Sequence, residues 1–290
     1  MLSRYIEAAG VPNNWLAVAA AGVAVVAYFL GCFNGAVVVS RFILRDDVRA
    51  HGSGNAGLTN FYRTFGGPLT AVVILSDVVK AVLAVLFAVF IAEHISPELV
   101  PLAKYWAGTF CLLGHMYPCT FQFRGGKGIL SGGTIAIMMG INGQGLYPAW
   151  WIPVVVWGGF IILAASTKYV SLGSCWAGLS FPFVSAIVYQ DTLITLLSII
   201  VGGLILWKHR ANMVRIVKGS ESKFTLHKKA AAEASSGEAA SDEEAPIVEA
   251  VSDETAADEY IPAEDAPSDA AAPAEAVSDE AAAEEEEDKP

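Results

Sequence analysis

The stretch G128-I-L-S-G-G-T-I-A-I-M-M-G-I-N-G-Q-G-L-Y-P-A-W-W-I-P-V-V-V-W-G-G-F-I-I-L-A-A-S-T167 runs for forty residues without a charged side chain. A membrane-spanning helix needs about 20 predominantly apolar residues. This run therefore holds two, and G140-I-N-G-Q-G-L-Y-P148 supplies glycine, asparagine and proline for the turn between them. A second charge-free stretch, from Ala8 to Ser40, is well past the roughly 7 to 15 apolar residues of a signal-peptide core and reads as a retained span. The same rule applied along the chain gives seven spans, near 16–42, 68–92, 102–122, 128–145, 150–166, 170–190 and 192–208. The fourth is short enough to be tilted, kinked or partly re-entrant. Composition agrees, with 54% hydrophobic and 16% charged residues and a mean hydropathy of +0.49. The expected fold is an all-α integral membrane protein of about seven transmembrane helices.

The net charge of −11 hides two opposed regions. Residues 230–290 carry 21 Asp and Glu against one Lys, which leaves residues 1–229 net positive. The expected division is a membrane-embedded domain at 1–229 and a disordered acidic, Ala/Glu-rich cytoplasmic tail at 230–290. A basic body suits anionic headgroups and phosphorylated substrates. Nucleic acid is not an expected partner, since no recognised binding module is visible. Arg41, Arg45, Arg49 and Arg63 follow the first span, Arg124 and Lys127 the third, Lys168 the fifth, and Lys208, Arg210, Arg215 and Lys218 the seventh. Basic loops stay cytoplasmic, so the N-terminus is expected outside and the C-terminus inside. Cys32, Cys111, Cys119 and Cys175 form no CxxC pair and are expected as buried free thiols.

Three polar segments interrupt the apolar chain, and their polarity is costly in hydrocarbon unless they face water or a shared cavity. The first, H51-G-S-G-N-A-G-L-T-N-F-Y-R63, matches GxGxxG formally, but that fingerprint needs a strand before it and a soluble parallel unit around it. Its local physics still suits an anion: Gly52 and Gly54 expose backbone N–H groups, Ser53, Asn55, Thr59 and Asn60 add short donors, and Arg63 adds a charged fork. In the second, G114-H-M-Y-P-C-T-F-Q-F-R-G-G-K-G128, the Walker loop pattern fails because Phe121 and Gly128 stand where Gly and Ser or Thr are required. Lys127, between Gly126 and Gly128, can nevertheless reach an anion, with Ser131 one turn later. His115 reads either as a site residue or as a buried ring bonded to a carbonyl. In the third, H209-R-A-N-M-V-R-I-V-K-G-S-E221, His209, Asn212 and Arg215 share one helix face if the last span continues inward. Glu221 can then orient a cation. Asp77 and Lys80, three apart within the second span, can pair, which lowers the cost of burying either.

Together these segments resemble the signatures of the bacterial acyl-phosphate-dependent glycerol-3-phosphate acyltransferases: a GSGN-x-G-x-TN-x-x-R loop from Gly52, a GH-x-x-P…GGKG segment from Gly114, and an H-x-x-N-x-x-R…G-x-E segment from His209. T167-K-Y-V-S-L-G-S174 is similar to a cytosolic connection of that family, which adds Ser171. The resemblance spans roughly residues 16–224 and excludes the acidic tail. Leu58, Arg124 and Ser131 depart mildly from the family's residues. The resemblance implies transfer of a fatty acyl group from acyl phosphate to the 1-hydroxyl of glycerol 3-phosphate, the first acylation of phospholipid synthesis. It implies a bacterial inner-membrane location and, as a further partner, the enzyme that makes acyl phosphate. Ser53, Asn55 and Thr59 are then expected at one phosphate, and Arg63, Lys127, His209 and Arg215 at the other. Asn212 and Ser171 would orient the acceptor. His209 competes with a substrate phosphate oxygen for the role of base. No metal or cofactor is expected, because the carboxylates do not cluster.

Acyl-CoA-dependent acyltransferases commonly carry His-x4-Asp, and the positions five after His51, His94, His115 and His209 are Ala56, Leu99, Thr120 and Val214. The alternative from another class is a transporter of a phosphorylated solute, against which stands the lack of an internal repeat.

Overall fold

The computed structural model describes residues 2–141 and 147–224, all of whose regular elements are helical. The turn expected within 140–148 falls mostly outside the described residues, as does the acidic tail. The helices are α1 (Leu2–Ala9), α2 (Asn13–Cys32), α3 (Gly35–Val38), α4 (Leu58–Thr64), α5 (Leu69–Ile95), α6 (Val100–Met116), α7 (Ile129–Gly140), α8 (Trp151–Thr167), α9 (Val170–Tyr189) and α10 (Thr192–Val217). Each expected span contains a helix. Among the described residues, four stretches are long and apolar enough to cross a membrane by length and composition: 13–43, α5, α9 and α10. Helix α7, at 12 residues, is about 18 Å long, short of a hydrocarbon core of about 30 Å.

The expected first span is not one continuous α-helix. Asn34 interrupts it: the Asn34 side chain accepts from Val37 N (3.1 Å) as cap of α3 and donates to Ala56 O (3.0 Å). A π-helical turn follows at Val39–Ile43. At the other end of the chain, the Asp191 carboxylate accepts from Ile194 N (3.0 Å) and starts α10, which continues to Val217, nine residues past the expected span.

Helix contacts run through small residues, as expected where apolar side chains gain nothing by leaving lipid. Gly31 of α2 lies against the Cys111 carbonyl of α6, and Gly114 of α6 against the Tyr28 carbonyl. Gly178 and Gly202 bring α9 and α10 together in the same way. Tyr105, Leu112, Met116 and Met139 fill the interior, where the Tyr105 hydroxyl meets Ser185 Oγ at 2.8 Å. The outer surface is apolar, with Trp15, Phe29, Leu75, Ile162 and Phe183 all exposed. That is the inverse of a soluble protein and matches lipid as solvent.

One expectation needs correction. Cys32 and Cys111 are buried, but Cys175 is half-buried and Cys119 is exposed, because it lies in the surface segment after α6, with its sulfur 3.9 Å from that of Cys32. Lys104, inside the third expected span, is buried in α6. Its ammonium donates to Met138 O (3.1 Å) and Ile141 O (2.5 Å), capping the carbonyl end of α7.

Candidate active site

The first polar segment forms a clamped loop rather than an open cradle of N–H groups. Gly52 and Gly54 have positive φ (56° and 67°), as the turn requires. The Ser53 N–H, however, donates to Asn60 Oδ1 (3.0 Å), and Gly54 N donates to His51 O (3.0 Å). The Asn60 amide also donates to Val48 O (2.9 Å) and His51 O (3.0 Å). Asn60 is buried and its amide hydrogens are used, so it holds the loop instead of offering a donor to an anion. The Ser53 side chain is left with no hydrogen-bond partner among the described residues. Asn55 and Thr59 are half-buried.

Arg63, in the last turn of α4, is exposed and extends toward the far end of the chain, donating to Ser222 Oγ and Ser222 O, both at 3.4 Å. The first and third motifs therefore meet. The first and second meet as well: Gly126 fits between the His115 imidazole and the Ala56 carbonyl, where a Cβ would collide with both. Arg49 strengthens this junction by donating to Phe121 O (3.0 Å) and Arg124 O (3.3 Å). From sequence Arg49 registers only as a topology signal. Its structural role depends on a fold-dependent contact with a residue more than seventy positions away.

The third motif supplies the centre. Gly219 takes φ 71° and turns the chain back after α10, with Ser220 N and Glu221 N both donating to Arg215 O (2.9 and 3.2 Å). Glu221 then becomes a hub. Its Oε1 accepts from Ser171 Oγ (2.5 Å) and Asn212 Nδ2 (2.6 Å), and its Oε2 accepts from Arg215 Nε (2.8 Å). Asn212 Nδ2 also donates to Ser171 Oγ (2.8 Å), while Asn212 Oδ1 accepts from the Lys127 ammonium. Gly128, with φ 74°, turns the chain from Lys127 into α7.

His209 lies one turn before Asn212 and is buried. Its Nδ1 is 2.8 Å from Ile205 O, an atom that can only accept, so Nδ1 carries the proton and Nε2 keeps a lone pair.

Electrostatics follow from this packing. Burial, with Arg215 nearby, brings the Lys127 ammonium down to about 8. Burial opposes ionisation of Glu221, but bonds from Ser171, Asn212 and Arg215 outweigh it and hold the carboxyl below the usual range. The cluster thus joins Lys127, Ser171, Asn212, Arg215 and Glu221, with His209 and Arg63 at its margins. His115 belongs to a different cluster. It is buried, and its Nδ1 lies 2.7 Å from Lys80 Nζ.

Residues 21–219 match the family model for glycerol-3-phosphate acyltransferase. The chain belongs to the glycerol-3-phosphate acyltransferase family. Relatives bearing that family's name include proteins of Thermoanaerobacter pseudethanolicus (34% identical, covering 69% of this chain and 93% of the relative) and Coxiella burnetii (36%, covering 70% and 96%). The fold is similar to two crystal forms of PlsY, an integral membrane glycerol 3-phosphate acyltransferase. The glycerol 3-phosphate form gives a TM-score of 0.61 at 26% identity, covering 71% of this chain and 96% of that one; the lysophosphatidic acid form gives 0.59. This family member is therefore an acyltransferase of the membrane, and the transporter reading is set aside.

Proposed function

We propose that this acyltransferase takes its acyl group from acyl phosphate and attaches it to the 1-hydroxyl of glycerol 3-phosphate, releasing 1-acylglycerol 3-phosphate and inorganic phosphate. The carrying observation is the Lys127–Asn212–Glu221–Arg215 cluster: Glu221 holds Arg215 directly and Asn212 links it to Lys127, while Arg63 bonds the adjacent Ser222. Two phosphorylated substrates need such charge, and an acyl tail needs the apolar body. Acyl phosphate is a mixed anhydride and needs no further activation. The protein's contribution is to bring the hydroxyl to the acyl carbon and to stabilise the developing oxyanion. The glycerol hydroxyl oxygen forms the new ester bond, the carbon–oxygen bond to phosphate breaks, and phosphate leaves with the electron pair.

Lys127 and Arg215, with Arg63, hold phosphate oxygens in this reading, and the Ser53 hydroxyl serves a second phosphate with Asn55 and Thr59. Ser171 and Asn212 orient the acceptor. The free lone pair on His209 Nε2 suits it to take the hydroxyl proton. The chain crosses the membrane seven times, with α7 tilted or re-entrant, the N-terminus outside and the site on the cytoplasmic face of a bacterial inner membrane. Residues 1–229 form the catalytic domain, 230–290 a dispensable acidic tail. The acyl-phosphate-producing enzyme is a natural neighbour, since the donor is labile.

Purified protein in lipid, given glycerol 3-phosphate and acyl phosphate, should release phosphate together with acylated product. Comparable turnover with acyl-CoA would overturn the donor assignment. Single-cysteine labelling of intact cells tests topology: reaction from outside at position 49 would sink it.

A further inference from the structure

Lys80 lies in the middle of α5, an apolar 27-residue helix, and is 3% exposed. An ionisable side chain at such a place is costly unless each of its polar atoms has a partner. The Lys80 ammonium donates to Phe33 O at 2.8 Å and to His115 Nδ1 at 2.7 Å, and it forms an ion pair with Asp77 Oδ1 at 2.7 Å. The Phe33 carbonyl is available because Asn34 interrupts the helix there. Asp77 neutralises the charge at 4% exposure, and its own backbone carbonyl accepts from Ser131 Oγ of α7 (3.4 Å).

Because an ammonium donates only, His115 Nδ1 must accept, which leaves the ring proton on Nε2. That edge of the ring faces Gly126, and the His115 carbonyl accepts from Gly126 N (3.1 Å). The same carbonyl fills the space a Cβ on Gly125 would need. The glycine loop is thus moulded over His115, and the next residue is Lys127.

We propose that Asp77, Lys80 and His115 form a buried positioning device that fixes the His115 ring in its Nε2–H tautomer and, through the Gly125–Gly126 backbone, sets the placement of Lys127. His115 is a positioning residue and touches no substrate. The network links α2, α5, α6 and α7 to the loop that carries the site's cation, which accounts for an ion pair inside an apolar helix. This inference rests on the reading that Lys127 holds a substrate phosphate.

The two sides of the His115 ring can be tested separately, since an Asn amide oxygen occupies roughly the place of Nδ1 and a Gln amide that of Nε2. His115→Asn keeps an acceptor for Lys80 and should retain kcat within about threefold. His115→Gln and His115→Leu should each lose about 100-fold, the scale of a displaced catalytic group. Lys80→Met should match that loss, and combining it with His115→Leu should add less than about threefold, because both remove one interaction. Activity retained in the Gln variant and lost in the Asn variant, or strictly multiplicative losses in the double variant, would overturn the proposal. Nitrogen-15 NMR of the histidine-labelled full chain in lipid at neutral pH needs no variant to be active. It should find Nδ1 of His115 unprotonated and close to the Lys80 ammonium, and a proton on Nδ1 would defeat the network outright. An inactive wild-type enzyme showing that tautomer would instead strike only at the phosphate role of Lys127.

Discussion

Lys80 and Lys127 are both lysines enclosed by helices, yet their surroundings leave them with different chemistry. Lys80 donates to Phe33 O and His115 Nδ1 and is balanced directly by Asp77, whose Oδ1 lies 2.7 Å away. Lys127 is half-buried and reaches one acceptor, the Asn212 amide, while its compensating carboxylate, Glu221, acts on it through that amide. An ammonium whose charge is already met by a carboxylate in contact offers little to a further anion. One whose carboxylate acts through an intervening amide offers more. The two histidines differ in the same way. His115 accepts at Nδ1 from Lys80, whereas His209 donates from Nδ1 to a carbonyl and keeps a lone pair on Nε2, the atom proposed to take the hydroxyl proton. Burial alone therefore does not separate the two kinds of group; the nature and distance of their partners do.

The largest expected effect comes from deleting the less directly balanced cation. Lys127→Ala should reduce kcat/KM by about 10³-fold, the scale of removing a charge-stabilising donor, as read by phosphate release. A loss smaller than tenfold would mean that Lys127 does not hold a substrate phosphate. Next comes pH. With its pKa depressed to about 8, Lys127 is charged below that value and loses its proton as pH rises through it. kcat/KM should fall on the alkaline side with a midpoint near 8, about tenfold per unit thereafter. Lys127→Arg should abolish that limb, since guanidinium keeps its charge, although the changed geometry lowers the plateau. A limb that survives in the Arg variant would assign the titration to another group.

Ser53→Ala should cost about tenfold, the worth of one hydrogen bond to a charged phosphate. The serine should carry no acyl group at any time. His51, the nearest histidine in sequence, is already engaged with Asp46 at 2.8 Å, and no hydrogen bond joins it to Ser53. Rapid quenching with radiolabelled acyl phosphate followed by peptide mapping checks this, and a kinetically competent ester on Ser53 would replace direct transfer by a covalent route. The smallest effect belongs to the tail. Cutting after Lys229 should leave turnover within about twofold, because residues 230–290 lie beyond every polar motif. A well-folded but inactive truncation would show that the acidic segment serves the basic site.

Much of this was legible without coordinates. Charge-free runs marked out the apolar helices, since hydrocarbon tolerates few unpaired charges, and the three polar interruptions supplied the residues of the candidate site. The 209–212–215 spacing pointed to one helix face because 3.6-residue periodicity is local. What lay outside reach were the partners. Asn60 looks like a phosphate donor in a string of short polar residues, and only the folded loop shows its amide spent on Val48 and His51. Glu221 reads as an aid to a cation, but its place as the hub of Ser171, Asn212 and Arg215 depends on the chain reversing at Gly219. His115 sits in a motif beside Lys127 and bonds instead to Lys80, thirty-five positions away. Sequence by itself determined which groups had to leave the lipid, because the cost of an unpaired charge in hydrocarbon belongs to each residue. Tertiary structure alone decided which of them remain free for substrate, because that depends on acceptors brought together from distant helices.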